Sequence, residues 1–170
     1  MKRSTFLITK AVVIIASVFA LDRLVKHWCI STLRPIGSLA VWPNVLSFTY
    51  AQNTGAAFSM LSGKRTLLTV LPIAAFCLLV WLYLKRVFAH PLTDLAFPLI
   101  MGGAIGNLYD RILYGYVVDF IEIRLFRFAI FNVADCAISI GSALLILYLV
   151  LNWRALNESD PLNNTEGGQT

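Results

Sequence analysis

The stretch TLLTVLPIAAFCLLVWLYL, residues 66–84, runs for 19 residues without a charge. Basic pairs bracket it, Lys64-Arg65 on one side and Lys85-Arg86 on the other. A membrane-spanning helix needs about 20 apolar residues, and basic side chains at its ends reach out to the membrane interface. This segment therefore predicts an integral membrane protein.

The composition of the whole chain agrees with that prediction. Of its 170 residues, 58% are hydrophobic and 14% are charged, whereas soluble domains average roughly 45–50% and 25%. The net charge of +5 comes mostly from residues that flank the apolar segments. No basic stripe with interleaved aromatic residues appears, so nucleic acid is not an expected partner.

Four transmembrane helices are predicted, over about 6–26, 66–84, 95–113 and 135–152. The extramembrane segment at about 28–63 is rich in strand-forming residues on both sides of Pro43-Asn44, which predicts two short strands around a turn. The segment 122–131 is a candidate for another strand. The predicted fold is an all-α membrane protein with four transmembrane helices and a small extramembrane antiparallel β-sheet. It forms a single domain over 1–156, and a polar tail at 157–170 is expected to be disordered and cytoplasmic.

The N-terminus has a second interpretation. A basic start, an apolar middle and the small-residue site Val18-Phe19-Ala20 are also typical of a cleaved secretory signal peptide. Lys10 interrupts the apolar region, however, and the segment 22–26 continues it at helical spacing. A retained first helix is therefore favoured.

The charges alone leave the orientation open. Four spans put both termini on one side of the membrane and both long loops on the other. The terminal side would carry six Lys and Arg residues and the loop side eight, which does not give the excess expected on cytoplasmic segments.

The cysteine and histidine content does not suggest a metal or a cofactor. Cys29, Cys77 and Cys136 are odd in number and lack CxxC spacing, so unpaired structural thiols are expected. The two histidines, His27 and His90, would lie on opposite sides of the membrane. No metal site and no cofactor are predicted.

Polar residues converge on the loop side of the predicted bundle. They come from the end of the first helix, the long loop, the end of the third helix and the start of the fourth: Asp22, Lys26, Asn53, Asn107, Asp110, Arg111, Asp119, Asn132 and Asp135. Each has an ordinary structural explanation, such as a helical i, i+4 pair, a helix cap or close helix packing at nearby glycines. Their convergence at one depth favours a functional site, because polar groups near hydrocarbon are costly.

Two carboxylates in this set suggest a chemistry. No nucleophile has a histidine beside it, which leaves Asp119, expected in a loop, and Asp135, at a helix start. Carboxylates held close together cannot both ionise and so share a proton. One then acts as base on a water while the other donates to a substrate carbonyl, as in aspartic proteases.

The chain resembles the lipoprotein signal peptidase family, also called signal peptidase II. Five motifs occur in the family's order: DRLVK (22–26), NTGAAFS (53–59), GGAIGNLYDR (102–111), VVDF (117–120) and FNVADCAISIG (131–141). The resemblance covers about 13–151. Val25 is a departure, since members often carry Ser or Thr there, and it leaves the catalytic positions unchanged.

The resemblance implies a bacterial inner-membrane aspartic peptidase that cleaves diacylglyceryl-modified prolipoproteins just before the lipidated cysteine. It implies that Asp119 and Asp135 form the catalytic dyad. It also implies cytoplasmic termini, with the site near the outer or periplasmic face. The residues that would bind substrate or support the site are Asp22, Lys26, Asn53, Gly55, Gly103, Asn107, Arg111 and Asn132. Arg111 is expected to anchor a loop or to pair with Asp110.

Two other classes of protein remain as alternatives at this point. A small transporter would also place carboxylates in a membrane cavity, but nearer the middle of the bilayer. A non-enzymatic assembly subunit would explain the helices and glycines but not the pair of aspartates.

Overall fold

A computed structural model describes residues 2–55 and 65–153. Its helices are α1 (Lys2–Trp28), α2 (Arg34–Ile36), α3 (Arg65–Leu84), α4 (Thr93–Leu113) and α5 (Val133–Leu151), and a π-helical turn, Cys29–Leu33, joins α1 to α2. The strands are β1 (Ser38–Trp42), β2 (Leu46–Asn53) and β3 (Val117–Ile123). The tail predicted to be disordered at 157–170 lies outside the described residues, as does 56–64 of the predicted loop.

Three helical segments of the described chain are long and apolar enough to cross a membrane: Ser4–Ile36, Thr66–Leu84 and Val133–Leu151. They correspond to three of the four predicted spans. Helix α4 has the length, at 21 residues, but it carries Asp94, Asp110 and Arg111 and is not among the three. Its polar residues serve ion pairs and the candidate site described below.

The sheet is antiparallel, with strand order β1-β2-β3. The predicted hairpin around Pro43-Asn44 is confirmed, and Asn44 takes the left-handed backbone conformation, with φ 59°, that its turn requires. The third strand begins earlier than predicted, at Val117, because the Val-Val-Asp-Phe-Ile run pairs with β2. Asp119 therefore lies in a strand and not in a loop. The segment after Ile123 forms a turn and returns only as a bridge between Ile121 and Phe131.

Helix α4 lies at the centre of the bundle and packs against α5, α1 and α3. Glycines allow the close approach. A Cβ on Gly103 would collide with the carbonyl oxygen of Ala134 in α5, and one on Gly141 would lie 2.7 Å from the carbonyl oxygen of Ala96. Replacing either glycine would push α4 and α5 apart.

Four charged side chains join α1 to α4 in a buried ion cluster. Lys26 Nζ lies 3.0 Å from Asp22 Oδ2 and 2.8 Å from Asp110 Oδ2. Arg23 contacts the same two carboxylates at 2.6 and 2.5 Å. Asp22, Lys26 and Asp110 are all at most 1% exposed. Two cations and two anions balance each other, which is what allows the charges to be buried.

The cluster also holds the backbone of two other elements. Asp22 Oδ1 accepts a hydrogen bond from Ala134 N in α5 at 3.2 Å, and Asp110 Oδ2 accepts one from Val118 N in β3 at 3.2 Å. The Arg23 guanidinium lies over the Tyr109 ring, 4.7 Å from its centroid. One polar contact region therefore connects α1, α4, α5 and the sheet.

A second carboxylate–guanidinium pair lies at the opposite end of α4. Asp94, in the first turn of α4, pairs with Arg86. Nearby, the Tyr83 hydroxyl of α3 donates to the carbonyl oxygen of Leu7 in α1 at 3.1 Å. The C-terminal end of α3 and the N-terminal end of α1 therefore lie side by side.

We expect Lys26→Met to lower the melting temperature strongly, because it leaves two buried carboxylates with one cation. Breaking a buried ion pair costs about 3–5 kcal/mol. Arg124→Met is the matched control, since its pair with Glu122 is partly exposed, at 42% and 27%, and exposed pairs contribute about 0–1 kcal/mol. Thermal unfolding of both variants in one detergent measures the difference. Equal melting temperatures would contradict a stabilising role for the cluster.

Candidate active site

Asp119 lies in the middle of β3 and is 2% exposed. Its Cα partner in β2 is Ala51, and Asn53 is two residues further along β2, on the same face of the sheet. The Asn53 amide reaches across and donates to Asp119 Oδ2 at 2.9 Å. The register of the hairpin therefore brings this asparagine and the aspartate together.

Asp135 lies in the first turn of α5, where Asn132 is the N-cap. The Asn132 side chain accepts from Asp135 N at 3.0 Å, while the Asp135 side chain accepts from Asn132 N at 3.2 Å. This capping box holds the Asp135 carboxylate at the positive end of the helix dipole. Asn132 and Asp135 therefore do form a helix cap, the ordinary structural explanation of their spacing, and this cap fixes Asp135 in place.

Asn132 also links the two aspartates. Its Nδ2 donates to Asp119 Oδ1 at 2.6 Å, while its Oδ1 receives Asp135 N. The other carboxylate oxygen of Asp135 is bonded from α4, where Asn107 Nδ2 donates to Asp135 Oδ1 at 2.7 Å. All four carboxylate oxygens of Asp119 and Asp135 thus accept a hydrogen bond from an amide donor.

The three asparagine side chains are oriented by groups that only donate. Gly55 N donates to Asn53 Oδ1 at 2.9 Å, Asp135 N donates to Asn132 Oδ1, and Lys26 Nζ donates to Asn107 Oδ1 at 3.3 Å. With each amide oxygen engaged in this way, each NH₂ group must face a carboxylate. Lys26 therefore connects the buried ion cluster to the orientation of Asp135.

The pKa of Asp119 is raised to about 6, first by burial and second by the negative charge of Asp135. Hydrogen bonds from Asn53 and Asn132 and the positive charge of Lys26 act in the opposite direction. Desolvation is the largest effect, and it lets this carboxyl keep its proton at a higher pH than an ordinary aspartate does.

A cleft of about 360 Å³ opens beside Asp119. It lies between the end of β2 and the segment that follows β3, and its lining residues are Ala51, Gln52, Asn53, Asp119, Arg127, Phe128, Ala129 and Ile130. Asp119 is therefore the carboxylate that this cleft reaches. The cleft is large enough for part of an extended peptide.

The other expected residues lie around this centre. Arg111 NH2 donates to the carbonyl oxygen of Gly55 at 3.1 Å, so it ties α4 to the chain after β2. Gly103 lies at the contact of α4 with α5, one turn before Asn107. Asp22 and Lys26 belong to the ion cluster behind Asn107 and do not contact Asp119 or Asp135 through any hydrogen bond of the described residues.

Two residues have roles that the sequence analysis missed. Asp110 pairs with Arg23 and Lys26, and the hydrogen bond from Arg111 to Gly55 O corresponds to the loop anchor, one of the two alternatives for that arginine. Arg23 is one of the eight basic residues counted on the loop side, and its sequence position gave it no other role. A basic residue next to Asp22, facing the apolar bundle, was the available signal that a second buried acid must lie nearby.

In the described part of the chain, no three His, Cys, Asp or Glu side chains are grouped closely enough to hold a metal ion. All three cysteines are free, as predicted.

Comparisons with known proteins agree with this geometry. A family model described as signal peptidase (SPase) II matches residues 14–151. The lipoprotein signal peptidase of Trichormus variabilis is 44% identical over 129 residues, which are 76% of this chain and 82% of the relative. That of Lactobacillus johnsonii is 36% identical over 149 residues, which are 88% of this chain and 94% of the relative.

Two solved structures, both described as bacterial membrane enzymes, share the fold. One superposes with a TM-score of 0.79 at 32% identity and covers 96% of this chain and 95% of its own. The other has a TM-score of 0.76 at 36% identity and covers 84% and 93%. Family model, relatives and structures agree over most of the sequence, and the chain belongs to the signal peptidase II family.

Proposed function

We propose that this protein is a lipoprotein signal peptidase of the aspartic type. It removes the signal peptide from diacylglyceryl-modified prolipoproteins by cleaving just before the lipidated cysteine. The observation that carries this proposal is the pair Asp119 and Asp135, linked through Asn132 and supplied with a donor at every carboxylate oxygen, beside a peptide-sized cleft. The substrate class follows from family membership and from the names of the relatives.

The two aspartates differ in environment, which suggests separate roles. Asp119 is 2% exposed, whereas Asp135 is half-buried and more open to water, so Asp119 is the proposed acid. Asp135 lies at a helix N-terminus, where the dipole favours a carboxylate, so it is the proposed base. Asp135 would take a proton from a water, the water oxygen would attack the scissile carbonyl carbon, and Asp119 would donate its proton to the carbonyl oxygen. As the tetrahedral intermediate collapses and the C–N bond breaks, Asp135 would give its proton to the leaving amine and Asp119 would take back the proton of the hydroxyl that becomes the new carbonyl.

The sheet offers a way to hold the substrate. The cleft is bordered by Ala51 and Gln52 of β2 and by Ala129 and Ile130 of the segment after β3. Strand edges bind extended peptides through backbone hydrogen bonds, and small side chains such as alanine leave room for the peptide. The acyl chains of the substrate would remain in the bilayer beside the bundle.

Chain path supports a fourth crossing by α4. Helix α3 ends beside the N-terminal end of α1, whereas β3 lies at the other end of the bundle, with Asp119. Between them α4 supplies about 31 Å of helix at 1.5 Å per residue, enough to cross the hydrocarbon core. Its charged and amide residues lie in its first turn and in its last two turns. We propose that residues 1–156 form one domain with four spans in the inner membrane, both termini in the cytoplasm and the site near the outer face.

We expect Asp119→Asn and Asp135→Asn each to lower the turnover of a lipidated prolipoprotein by on the order of 10²–10⁴-fold, the usual contribution of a general acid or base. Both variants should stay folded, because neither aspartate belongs to the ion cluster. Mass spectrometry of the products locates the cut. A variant that keeps a substantial rate would remove that aspartate from the mechanism.

The pH dependence tests the assignment of the acid. We expect kcat/KM to fall as pH rises through about 6, since Asp119 then loses the proton that it donates. Asn53→Ala removes a hydrogen bond that lowers the pKa of Asp119, so this limb should move to higher pH. Gln52→Ala is the matched control, because that amide donates to the Tyr50 hydroxyl and not to Asp119. A shift in the control alone would contradict the assignment.

Labelling of introduced cysteines tests the orientation. In a background without the three native cysteines, Ser38→Cys should react with an impermeant reagent from outside the cell, and Val87→Cys only after the membrane is opened. Both positions are exposed. Reaction of position 38 from the cytoplasmic side would overturn the proposed topology.

A further inference from the structure

The segment 107–110, in the last two turns of α4, lies beside the surroundings of both aspartates. Asn107 and Asp110 are three residues apart and so lie on one side of the helix. Asn107 donates to Asp135, and Asp110 accepts from the backbone of Val118, the residue before Asp119, at 3.2 Å. This one stretch of α4 therefore bonds to the Asp135 carboxylate directly and to the backbone of the residue before Asp119.

Asp110 has no atom free to meet a substrate. It is fully buried, at 0% exposure. Its Oδ1 is engaged by Arg23 at 2.5 Å, and its Oδ2 by Lys26 at 2.8 Å and by Val118 N. Any effect of Asp110 on the reaction must therefore pass through the groups that it holds.

The connection that Asp110 spans is short. Only three residues separate the end of α4 at Leu113 from the start of β3 at Val117, and Gly115 makes the turn with φ 79°. The first two of these residues are bonded back to α4, since Tyr114 N donates to Asp110 O and Gly115 N to Arg111 O. The side-chain bond from Asp110 to Val118 N then sets where the strand lies relative to the helix.

We infer that Asp110 is a positioning residue for Asp119: through Val118 N it fixes the height of β3 against α4, and so the distance of Asp119 from Asn132 and from Asp135. This inference rests on the proposed function. Arg23 and Lys26 hold the Asp110 carboxylate in place, so these two residues of α1 act on the reaction through Asp110. A misplacement of about 1 Å in a catalytic group can cost on the order of 10²-fold in rate.

The other buried acid of α4 provides a control for stability. Asp94 also pairs with an arginine, Arg86, but at the opposite end of the helix. Substitution of either acid removes a partner from an ion pair. Only Asp110 contacts the strand that carries Asp119.

The test measures kcat, KM and the melting temperature of four variants: Asp110→Ala, Asp110→Asn, Asp94→Ala and Asp94→Asn. The substrate is a lipidated prolipoprotein, and the assay temperature is well below the lowest melting temperature of the four. We expect Asp94 variants to melt earlier but to keep wild-type kcat. Asp110→Ala should lose roughly 10- to 100-fold in kcat with KM within about threefold of wild type. Asp110→Asn should lose less, because its amide oxygen can still accept from Val118 N. The asparagine variant also keeps the positioning role testable if the alanine variant does not fold.

The outcomes separate this inference from the proposed function. Wild-type kcat in folded Asp110→Asn and Asp110→Ala, with Asp119→Asn inactive, would overturn the positioning role and leave the peptidase assignment standing. Equal losses of kcat in the Asp94 and Asp110 variants would reduce Asp110 to a stability residue. A wild-type protein that does not cleave the prolipoprotein would overturn both.

Discussion

The buried ion cluster of Asp22, Arg23, Lys26 and Asp110 is the constraint on which the rest of the structure depends. Four charges in an apolar bundle are tolerable only if they meet, and they can meet only if α1 and α4 lie side by side at one depth. The carboxylates of Asp22 and Asp110 also accept backbone hydrogen bonds, from the start of α5 and from the second residue of β3. Helices and sheet are thereby placed relative to one another.

The candidate site is built on this frame from amides. Each asparagine has its oxygen held by a donor and so presents its NH₂ to a carboxylate, which leaves little freedom to either aspartate. Lys26 takes part in both the ion cluster and the amide network, because it neutralises Asp22 and Asp110 and also orients Asn107. A preorganised pair of this kind needs little rearrangement when a peptide arrives, which is how enzymes stabilise charge in the transition state.

How much could be read from the sequence depends on the range of the interactions. The span 66–84 and the hairpin at Pro43-Asn44 were predicted well because their signals are local: uninterrupted hydrophobicity and a turn dipeptide. Asp119 was assigned to a loop because its strand is short and apolar on both faces, without the alternation that indicates a strand. The partner of Arg23 could not be predicted, since Asp110 lies 87 residues away. The roles of the asparagines came from the family resemblance, and their orientation required coordinates.

The central claim is that the pair of Asp119 and Asp135 keeps one proton up to a pH of about 6, above the range in which ordinary aspartates ionise. Infrared difference spectroscopy of the protonated carboxyl stretch during a pH titration, with wild type set against Asp119→Asn, measures this directly. We expect one carboxyl of the wild type to keep its proton until the pH rises through about 6, and its band to be missing from the variant. If every carboxyl has ionised by about pH 5, as ordinary aspartates do, the pair holds no proton to donate and the proposed acid–base chemistry is wrong.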